Sequence, residues 1–383
     1  MRPLLEYIED LELQAVLHSS SSLDIYLGRP ESTSLYVFTE ADLVELTKVF
    51  SQLEYPGTPV ADAVVRLPEG SLVFRTVESA KRPTQQPFGL TNLLYDPADR
   101  KFLDPYGVYP DVRDRRLTFL GESASAPSGL SVSDWRLFTE AAIMVSRYDF
   151  SIDEVTPALT DAARDRDLVR ILGVDPVVSQ RHLLGEIFRA RNPKAGFSFL
   201  RRVGYIEAHW PELSAMYEVD HTKYDHPEGN LWQHTLETFH YRKDQDLALS
   251  LGLLFHDSGK PFAERNDGNM FDRHSQIGTR ITIKFLRRLG FDESIVSDVG
   301  FLVREHMLPG LIHSLPTYRI EGVMSSLLFP WLLELYRCDL SSTYRGPDGY
   351  YRACKVYRSY LKNVRNPFRN SDGKKFVKRY VAG

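Results

Sequence analysis

The stretch LALSLGLLFHDSGKP, residues 247–261, joins nine mostly apolar residues to the polar sequence His-Asp-Ser-Gly-Lys. An apolar run without a polar face predicts a helix that is buried on all sides. Gly259 followed by Pro261 is the usual order of residues at a helix end, so we expect His256 and Asp257 in the last turn of this helix. Because unpaired polar groups are costly to bury, the sequence predicts polar partners for these two side chains.

Four more side chains of metal-ligand type surround this pair in the sequence: His234, His274, His306 and Asp339. Imidazoles and carboxylates in this number predict a site for one or two divalent cations. The ligand types favour Mn, Ni, Co, Fe or Zn, and Mg is also suitable. A single histidine serves more often as a hydrogen-bonded core or surface residue, so the prediction depends on the whole set. We expect one ion on His234, His256, Asp257 and Asp339, and a second ion on His274 and His306 that Asp257 bridges.

The same residues suggest a type of chemistry. Divalent cations acidify bound water, which makes hydroxide available near neutral pH. Lys260, three residues after Asp257, would place a point charge beside a phosphate. The site therefore predicts a metal-dependent phosphohydrolase or phosphodiesterase, with Asp257 and Lys260 as its catalytic residues.

The pattern of apolar residues along the chain predicts an α+β fold. Residues 34–39 and 71–76 look like strands, and residues 41–53 have apolar side chains at helical spacing. Small residues at 121–129 predict a linker, and helical patterns continue from residue 131. The predicted division is a small mixed-sheet head at 1–120, an all-α neck at 130–205, an all-α metal-binding domain at 206–345 and a basic, aromatic tail at 346–383.

Composition narrows the class of protein further. The chain carries a net charge of −4, which excludes a bulk polyanion binder. Its two cysteines provide neither a disulfide framework nor a cysteine-based zinc site, and acidic residues near the N terminus interrupt any signal peptide. Without a run of ~20 apolar residues, the sequence predicts a cytoplasmic protein with no membrane partner.

The C-terminal segment is basic although the whole chain is acidic. Residues 352–379 contain ten Lys or Arg residues and one acid, so this segment carries +9 and the rest of the chain −13. Basic charge binds phosphates, and the interleaved aromatic rings can stack on unpaired bases. A terminal helix that buries its aromatic rings and exposes its cations explains the same pattern. The sequence leaves both interpretations open.

Three stretches around the predicted metal ligands resemble a known family: residues 226–236 (HPEGNLWQHTL), 253–261 (LLFHDSGKP) and 272–274 (DRH). They resemble the HD domain of bacterial CCA-adding tRNA nucleotidyltransferases and are similar to HD phosphohydrolases at large. Residues 204–213 look like the turn that precedes this domain in the family. The resemblance implies a nucleotidyltransferase-like head, an all-α neck and an all-α HD domain, with tRNA as a partner of head, neck and tail.

In the head the resemblance is incomplete at its first block. The family has Gly-Gly, then Arg-Asp, then Gly-Arg. Here Asp24 and the pair Gly28-Arg29 match, but Ser19-Ser20 replaces the glycine pair and Leu23 replaces the arginine. A Cβ at the glycine positions restricts the approach of a phosphate to the backbone.

The later blocks of the head differ in the same direction. The family's Asp-x-Asp strand, which binds the catalytic metals, falls on Ser34 and Tyr36. Neither side chain holds Mg²⁺ as two carboxylates would, and phosphoryl transfer needs cations that bridge the triphosphate. The family's Arg-Arg-Asp-Phe block reads Gln85-Gln86-Pro87-Phe88, and the arginines of its fourth block fall on Leu137, Glu140 and Ile143.

These replacements predict a head that keeps its fold and has lost nucleotidyl transfer. The predicted function is a metal-dependent phosphohydrolase, and the resemblance implies that it acts on nucleotides, 2′,3′-cyclic phosphates or phosphorylated RNA ends. Two alternatives remain: an active CCA-adding tRNA nucleotidyltransferase, and a non-catalytic tRNA- or RNA-binding protein. No feature of the sequence indicates an oligomeric state.

Overall fold

The protein is described from a computed structural model of the 383-residue chain. The described residues are 2–9, 13–29, 34–56, 61–68, 70–86, 88–118, 135–148, 150, 173–219, 229–264, 271 and 273–363. The predicted linker at 121–129 and the part of the tail after residue 363 lie outside them. The chain forms two compact units, residues 1–165 and 166–383. The finer division into head, neck, metal-binding domain and tail stays a prediction.

The first unit is built on one mixed sheet of six strands, in the order β3-β4-β2-β1-β5-β6. Strand β2 pairs with β4 in parallel, and the other neighbouring strands are antiparallel. The strands are β1 (Ala15–Leu17), β2 (Ser34–Thr39), β3 (Ala63–Leu67), β4 (Gly70–Thr76), β5 (Leu94–Asp96) and β6 (Lys101–Leu103). The helices described in this unit are α1 (Arg2–Glu9), α2 (Ser19–Tyr26), α3 (Leu43–Val49), α4 (Tyr109–Arg113), α5 (Arg136–Tyr148) and a 3-10 turn at Gly89–Asn92.

Local sequence explains the bounds of these elements. In β2, Leu35 and Val37 are fully buried in the core between the sheet and its helices, as an alternating strand requires. Helix α3 is shorter than the predicted 41–53 because Asp42 caps its N terminus and shares a capping box with Glu45. At its other end the backbone becomes extended at Phe50, whose ring is buried. The two strands predicted at 34–39 and 71–76 are confirmed.

The second unit is helical throughout its described residues. Its first helices are α6 (Val177–Arg189), α7 (Pro193–Arg202), α8 (Tyr205–His209) and α9 (Pro211–Ser214), followed by a 3-10 turn at Ala215–Glu218. The next are α10 (Leu231–Tyr241), α11 (Leu247–Phe255), a 3-10 turn at Lys260–Phe262, α12 (His274–Arg288) and α13 (Glu293–Glu305). The last are α14 (Leu308–Leu311), α15 (Thr317–Met324), α16 (Phe329–Ser341) and α17 (Asp348–Asn363). A mixed sheet followed by helices confirms the predicted α+β class.

Helix α11 is the buried centre of this unit. Every residue from Ala248 to Phe255 is buried, and α10, α13 and α16 pack around the helix. The helix ends at Phe255, so His256 is the residue that follows it and Asp257 lies in the next turn. The predicted position in the last helical turn is therefore wrong by one or two residues, and the polar pair still lies at the end of an apolar rod.

No helix within the described ranges has the length and apolar character needed to cross a bilayer.

Candidate functional site

The structure brings all six predicted metal ligands together in the second unit. One group consists of His234 on α10, His256 after α11 and Asp339 on α16, and their ligand atoms lie within 4.8 Å of one another. Nε2 of His234 lies 3.0 Å from Oδ1 of Asp339, and Nε2 of His256 lies 3.8 Å from the same oxygen. The first two ligands of this group are buried, and Asp339 is partly exposed.

The second group lies beside the first. It consists of Asp257, His274 at the start of α12 and His306 just after α13, and all three are buried. Both imidazole Nε2 atoms lie 3.6 Å from Oδ1 of Asp257. The other carboxylate oxygen of Asp257 lies 3.3 Å from Nε2 of His256. Asp257 therefore stands between the two groups.

The four imidazoles are oriented by hydrogen bonds at their other ring nitrogen. In His256, His274 and His306, Nδ1 lies 2.9, 2.9 and 2.7 Å from the carbonyl oxygen three residues earlier in the chain. In His234, Nδ1 lies 3.2 Å from Oγ of Ser342, whose hydroxyl donates to a main-chain carbonyl. Because these four oxygens accept, each neutral ring carries its proton on Nδ1 and presents a lone pair at Nε2.

This arrangement places acceptors against acceptors at the centre of the site. Nε2 of His274 lies 3.2 Å from Nε2 of His306, and Nε2 of His234 faces the carboxylate of Asp339. Nε2 of His256 is buried and makes no hydrogen bond to any described residue. Such contacts are repulsive unless a cation lies between them. The donor set, borderline nitrogen ligands with hard carboxylates, fits a divalent transition metal.

The two carboxylates are held in their ionised form. Burial alone would raise the pKa of Asp257, but the ammonium group of Lys260 holds the pKa well below its usual value. The pKa of Asp339 is likewise lowered, because its contact with the imidazole of His234 outweighs the effect of desolvation. Burial lowers the pKa of His274 and so favours the neutral ring that binds metals.

Lys260 has a partner within the site. Its Nζ lies 2.6 Å from Oδ2 of Asp257, at the start of the 3-10 turn that follows the His-Asp pair. The sequence predicts this lysine beside a substrate phosphate. The structure places it on a ligand-type carboxylate, so it would have to leave Asp257, or share it, to contact a phosphate.

Gly259 is required by close packing at this site. A Cβ on Gly259 would lie 2.0 Å from the carbonyl oxygen of His274 and 2.5 Å from the backbone nitrogen of Gly278. Its φ of −84° is open to any residue, so backbone freedom is not the reason for glycine. The prediction that Gly259 ends α11 is wrong, because the helix ends four residues earlier. The glycine lets the His-Asp turn lie directly against α12.

Sequence reasoning missed the groups that orient the ligands. Main-chain carbonyls leave no signature in a sequence. Ser342, which holds His234, follows Asp339 by three residues, and this spacing places both side chains on the same side of a helix. This spacing is the sequence signal that could have identified Ser342 as a residue that orients a metal ligand.

In the head, the positions that match the family's first two blocks meet in space. The backbone nitrogen of His18 donates to the carbonyl of Tyr36, and the backbone nitrogen of Tyr36 donates to Oγ of Ser21 at 2.8 Å. The turn between β1 and α2 therefore lies directly against β2. Ser34 and Tyr36 stand on that strand, where the resemblance implies two metal-binding carboxylates.

Asp24, which matches the family's aspartate, forms buried hydrogen bonds to another helix of the first unit. It is 1% exposed, and its carboxylate accepts hydrogen bonds from Arg147 at 2.5 Å and from the hydroxyl of Tyr148 at 2.6 Å. These contacts join α2 to α5. Among the described residues, the groups that could hold a metal ion are the two in the second unit, and the described part of the head contributes none.

Comparison by sequence finds similar proteins among tRNA nucleotidyltransferases. The chain is 33% identical over 126 residues to the CC-adding tRNA nucleotidyltransferase of Thermus thermophilus, a match that covers 30% of this chain and 29% of that protein. It is 27% identical over 237 residues to the Multifunctional CCA protein of Neisseria meningitidis serogroup A, covering 61% of this chain and 54% of that protein. The chain thus spans between 29% and 54% of the length of these curated relatives. No protein-family model matches it.

Comparison by structure finds the same fold. The chain superposes on the CCA-adding enzyme of Bacillus stearothermophilus in complex with CTP with a TM-score of 0.58 at 13% identity, covering 94% of this chain and 81% of that one. A tRNA nucleotidyltransferase complexed with a primer tRNA and an incoming ATP analogue gives a TM-score of 0.51 at 16% identity, covering 95% of this chain and all of the other. The chain therefore resembles the CCA-adding tRNA nucleotidyltransferases in sequence and in fold.

These comparisons correct the function predicted from the sequence. The similar proteins are named as tRNA nucleotidyltransferases and CCA proteins, so the predicted HD-type phosphohydrolase with a lost transfer site is wrong. The phosphoester substrates predicted for hydrolysis are withdrawn with it. The error has a physical origin, because a cluster of imidazoles and carboxylates indicates that a cation can bind and does not specify which reaction, if any, uses it.

Proposed function

We propose that this chain binds the 3′ end of tRNA and acts as a tRNA nucleotidyltransferase. The observation that carries the proposal is the head, where the turn matching the family's first block lies against the strand matching its second. Similarity in sequence to a CC-adding tRNA nucleotidyltransferase supports the substrate class. The fold, shared with enzymes of this kind over 94% of the chain, is consistent with it.

A second candidate is tRNA binding without nucleotide transfer. It is favoured by the side chains of Ser34 and Tyr36, which stand where two metal-binding carboxylates are expected. The described residues of the head contain no cluster of acidic or histidine side chains that would replace them. Nucleotidyl transfer relies on cations that neutralise the triphosphate, so this difference separates the two candidates.

Incubation with tRNA that lacks its 3′-terminal nucleotides, labelled CTP and ATP, and Mg²⁺ or Mn²⁺ tests the proposal. We expect incorporation at the tRNA 3′ end. A Ser34→Trp variant, which obstructs the β2 surface, should abolish incorporation. A Val44→Trp variant, at a position 62% exposed on α3, should not.

The outcomes separate the candidates. Tight tRNA binding without incorporation would favour the second candidate. Incorporation that survives Ser34→Trp would place the reaction elsewhere or in a contaminant. Absence of both binding and incorporation would refute the proposal.

We also propose that the six clustered residues of the second unit bind one or two divalent ions. The facing Nε2 lone pairs, the buried Nε2 of His256 and the ionised carboxylates support this. When bound, a metal would supply positive charge beside Lys260 and would link helices α10, α12 and α16 to the end of α11. Metal analysis of the purified chain, after growth with Mn, Co, Ni, Zn or Mg in turn, tests the assignment. A metal content near zero in every case would rule it out.

A further inference from the structure

Helix α17 carries two different faces. Its aromatic residues Tyr350, Tyr357 and Tyr360 are at most 8% exposed, and α14 and α16 pack against the helix. These rings form part of the core, so they are not available to stack on bases. The packed-helix interpretation of the tail is thus correct for these tyrosines in the described segment.

The opposite face of α17 is a basic stripe, which we define as Arg352, Lys355, Arg358 and Lys362. All four side chains are exposed. At ~100° per residue, they fall within an arc of about 120° on the helix surface. With a rise of ~1.5 Å per residue, the stripe is about 15 Å long. It is therefore one continuous row of positive charge.

No acidic side chain among the described residues neutralises the stripe. None of its four cations forms an ion pair with a residue of the described chain, and Asp348, at the N terminus, is the only acid within α17. Exposed cations elsewhere in this unit often have acidic partners, as Arg287 has in Glu293 and Arg288 in Glu212. Within the part of the chain that the structure describes, a protein of net charge −4 thus presents a positive row without ion-pair partners.

One aromatic ring shares this face. Tyr351 is 58% exposed and lies at the same angular position as the stripe. Its ring packs edge-on against the ring of Tyr350, which is buried. Rows of cations with an exposed ring are typical of surfaces that track a nucleic-acid backbone and stack on an unpaired base.

We propose that the basic stripe of α17, with Tyr351, binds the phosphate backbone of tRNA. The inference rests on the proposed function for its partner and adds the surface that contacts it. An RNA strand supplies regularly spaced negative charge over more than the length of the stripe, whereas a single phosphate would occupy only one or two of its cations. The sequence after residue 363 contains six further basic residues and one acid, which extends the basic character of this end of the chain.

The test compares two variants that lose the same charge. In the first, all four stripe residues are changed to Gln. In the matched control, four exposed cations of the same unit that form no ion pair with a described residue are changed to Gln: Lys243, Arg280, Lys284 and Arg319. Binding of fluorescent tRNA to the full-length chain is measured by anisotropy between 50 and 300 mM salt, with thermal unfolding to verify folding. Nucleotide incorporation is measured on the same samples.

The expected effect follows from counterion release. Each contact with a single-strand phosphate contributes ~0.7 to the slope of log K against log salt. If three stripe residues contact phosphates, their loss decreases the magnitude of this slope by about 2 and lowers affinity at 0.15 M salt about 50-fold. The control variant should lose less than a few-fold. A Tyr351→Ala variant should weaken tRNA binding without changing the salt slope.

Four results would overturn the inference. Equal binding by the stripe variant and the wild-type chain shows that tRNA binds elsewhere, and leaves the proposed function intact if incorporation persists. Equal losses in the stripe and control variants show a bulk effect of charge. If the wild-type chain neither binds nor extends tRNA, the proposed function fails and this inference fails with it. Binding of the stripe to phosphatidylserine vesicles in preference to tRNA would also overturn it.

Discussion

Metal binding should raise the free energy of unfolding of the helical unit by an amount that follows from the metal concentration relative to its Kd. A ligand that binds only the folded state at 100 times its Kd stabilises it by about 2.7 kcal/mol. For a domain of 150–250 residues, 1 kcal/mol shifts Tm by roughly 2–4 °C. Residues 166–383 form such a unit, so one ion should raise Tm by roughly 5–11 °C. Two ions of equal affinity would double the shift.

Differential scanning calorimetry of chelator-treated protein, before and after addition of Mn, Co, Ni or Zn, measures this shift, with metal content measured in parallel. His256→Ala removes a buried ligand of one group and should eliminate most of the metal-dependent increase. His240→Ala, an exposed histidine on the same helix as His234, should leave it unchanged. The comparison uses the change in Tm on metal addition, because the absolute Tm of His256→Ala also includes the loss of buried contacts.

The reasoning about facing lone pairs would be refuted by either of two results. The first is a Tm that no metal changes, together with no bound metal. The second is an equal increase in the wild-type chain and in His256→Ala, which would place the ion outside this site.

Three further predictions concern packing and charge. Gly259→Ala forces its Cβ onto the backbone of α12, so it should destabilise the protein by about 1–3 kcal/mol and lower its metal content. Gly322→Ala, with open space around it, should have neither effect. Chemical denaturation measures the stability, and metal analysis measures the metal content. Burial and, less strongly, Arg75 lower the pKa of His18 to about 3. Between this pKa and the ordinary value of 6.5, the unfolded chain binds a proton at His18 and the folded chain does not. Stability therefore falls as pH decreases below 6.5. At pH 5 this costs about 2 kcal/mol, and His18→Phe should remove that part of the pH dependence, as urea unfolding at pH 7 and 5 would reveal. Asp24→Asn removes a buried carboxylate from its partly buried arginine partner and should cost about 3–5 kcal/mol. Glu54→Gln, in an exposed ion pair, should cost at most about 1 kcal/mol. If urea unfolding gives equal losses, Asp24 does not join the two helices.

The sequence predicts the fold class and the central strands because these depend on short-range patterns. The alternation of apolar and polar residues in β2 predicts which of its faces is buried, and the apolar run of α11 predicts burial on all sides. The length of α3 was overestimated, since apolar spacing continues past the residues where the cap and the extended turn at Phe50 end the helix. The parallel pairing of β2 with β4 follows from tertiary packing, which local pattern does not report.

For the candidate site, the sequence predicts which six side chains are available, and the structure places them together. It does not predict that Lys260 is paired with Asp257, because ion pairs over one turn depend on the path of the backbone after the helix. The predicted phosphohydrolase function was wrong because an intact set of metal ligands does not specify a reaction. Ser34 and Tyr36 still distinguish this head from the family pattern, and the incorporation assay addresses what they imply.

The hydrogen bonds at the far side of the imidazoles have a consequence for protein engineering. Three of the accepting oxygens belong to residues 253, 271 and 303 through the main chain, and every amino acid offers that oxygen. Randomising these side chains would leave the ring orientations in place as long as the backbone path is kept. Ser342 is the exception, since its acceptor is a side-chain oxygen. Position 342 is therefore the place where a side-chain substitution can change the metal affinity of the site without replacing a ligand.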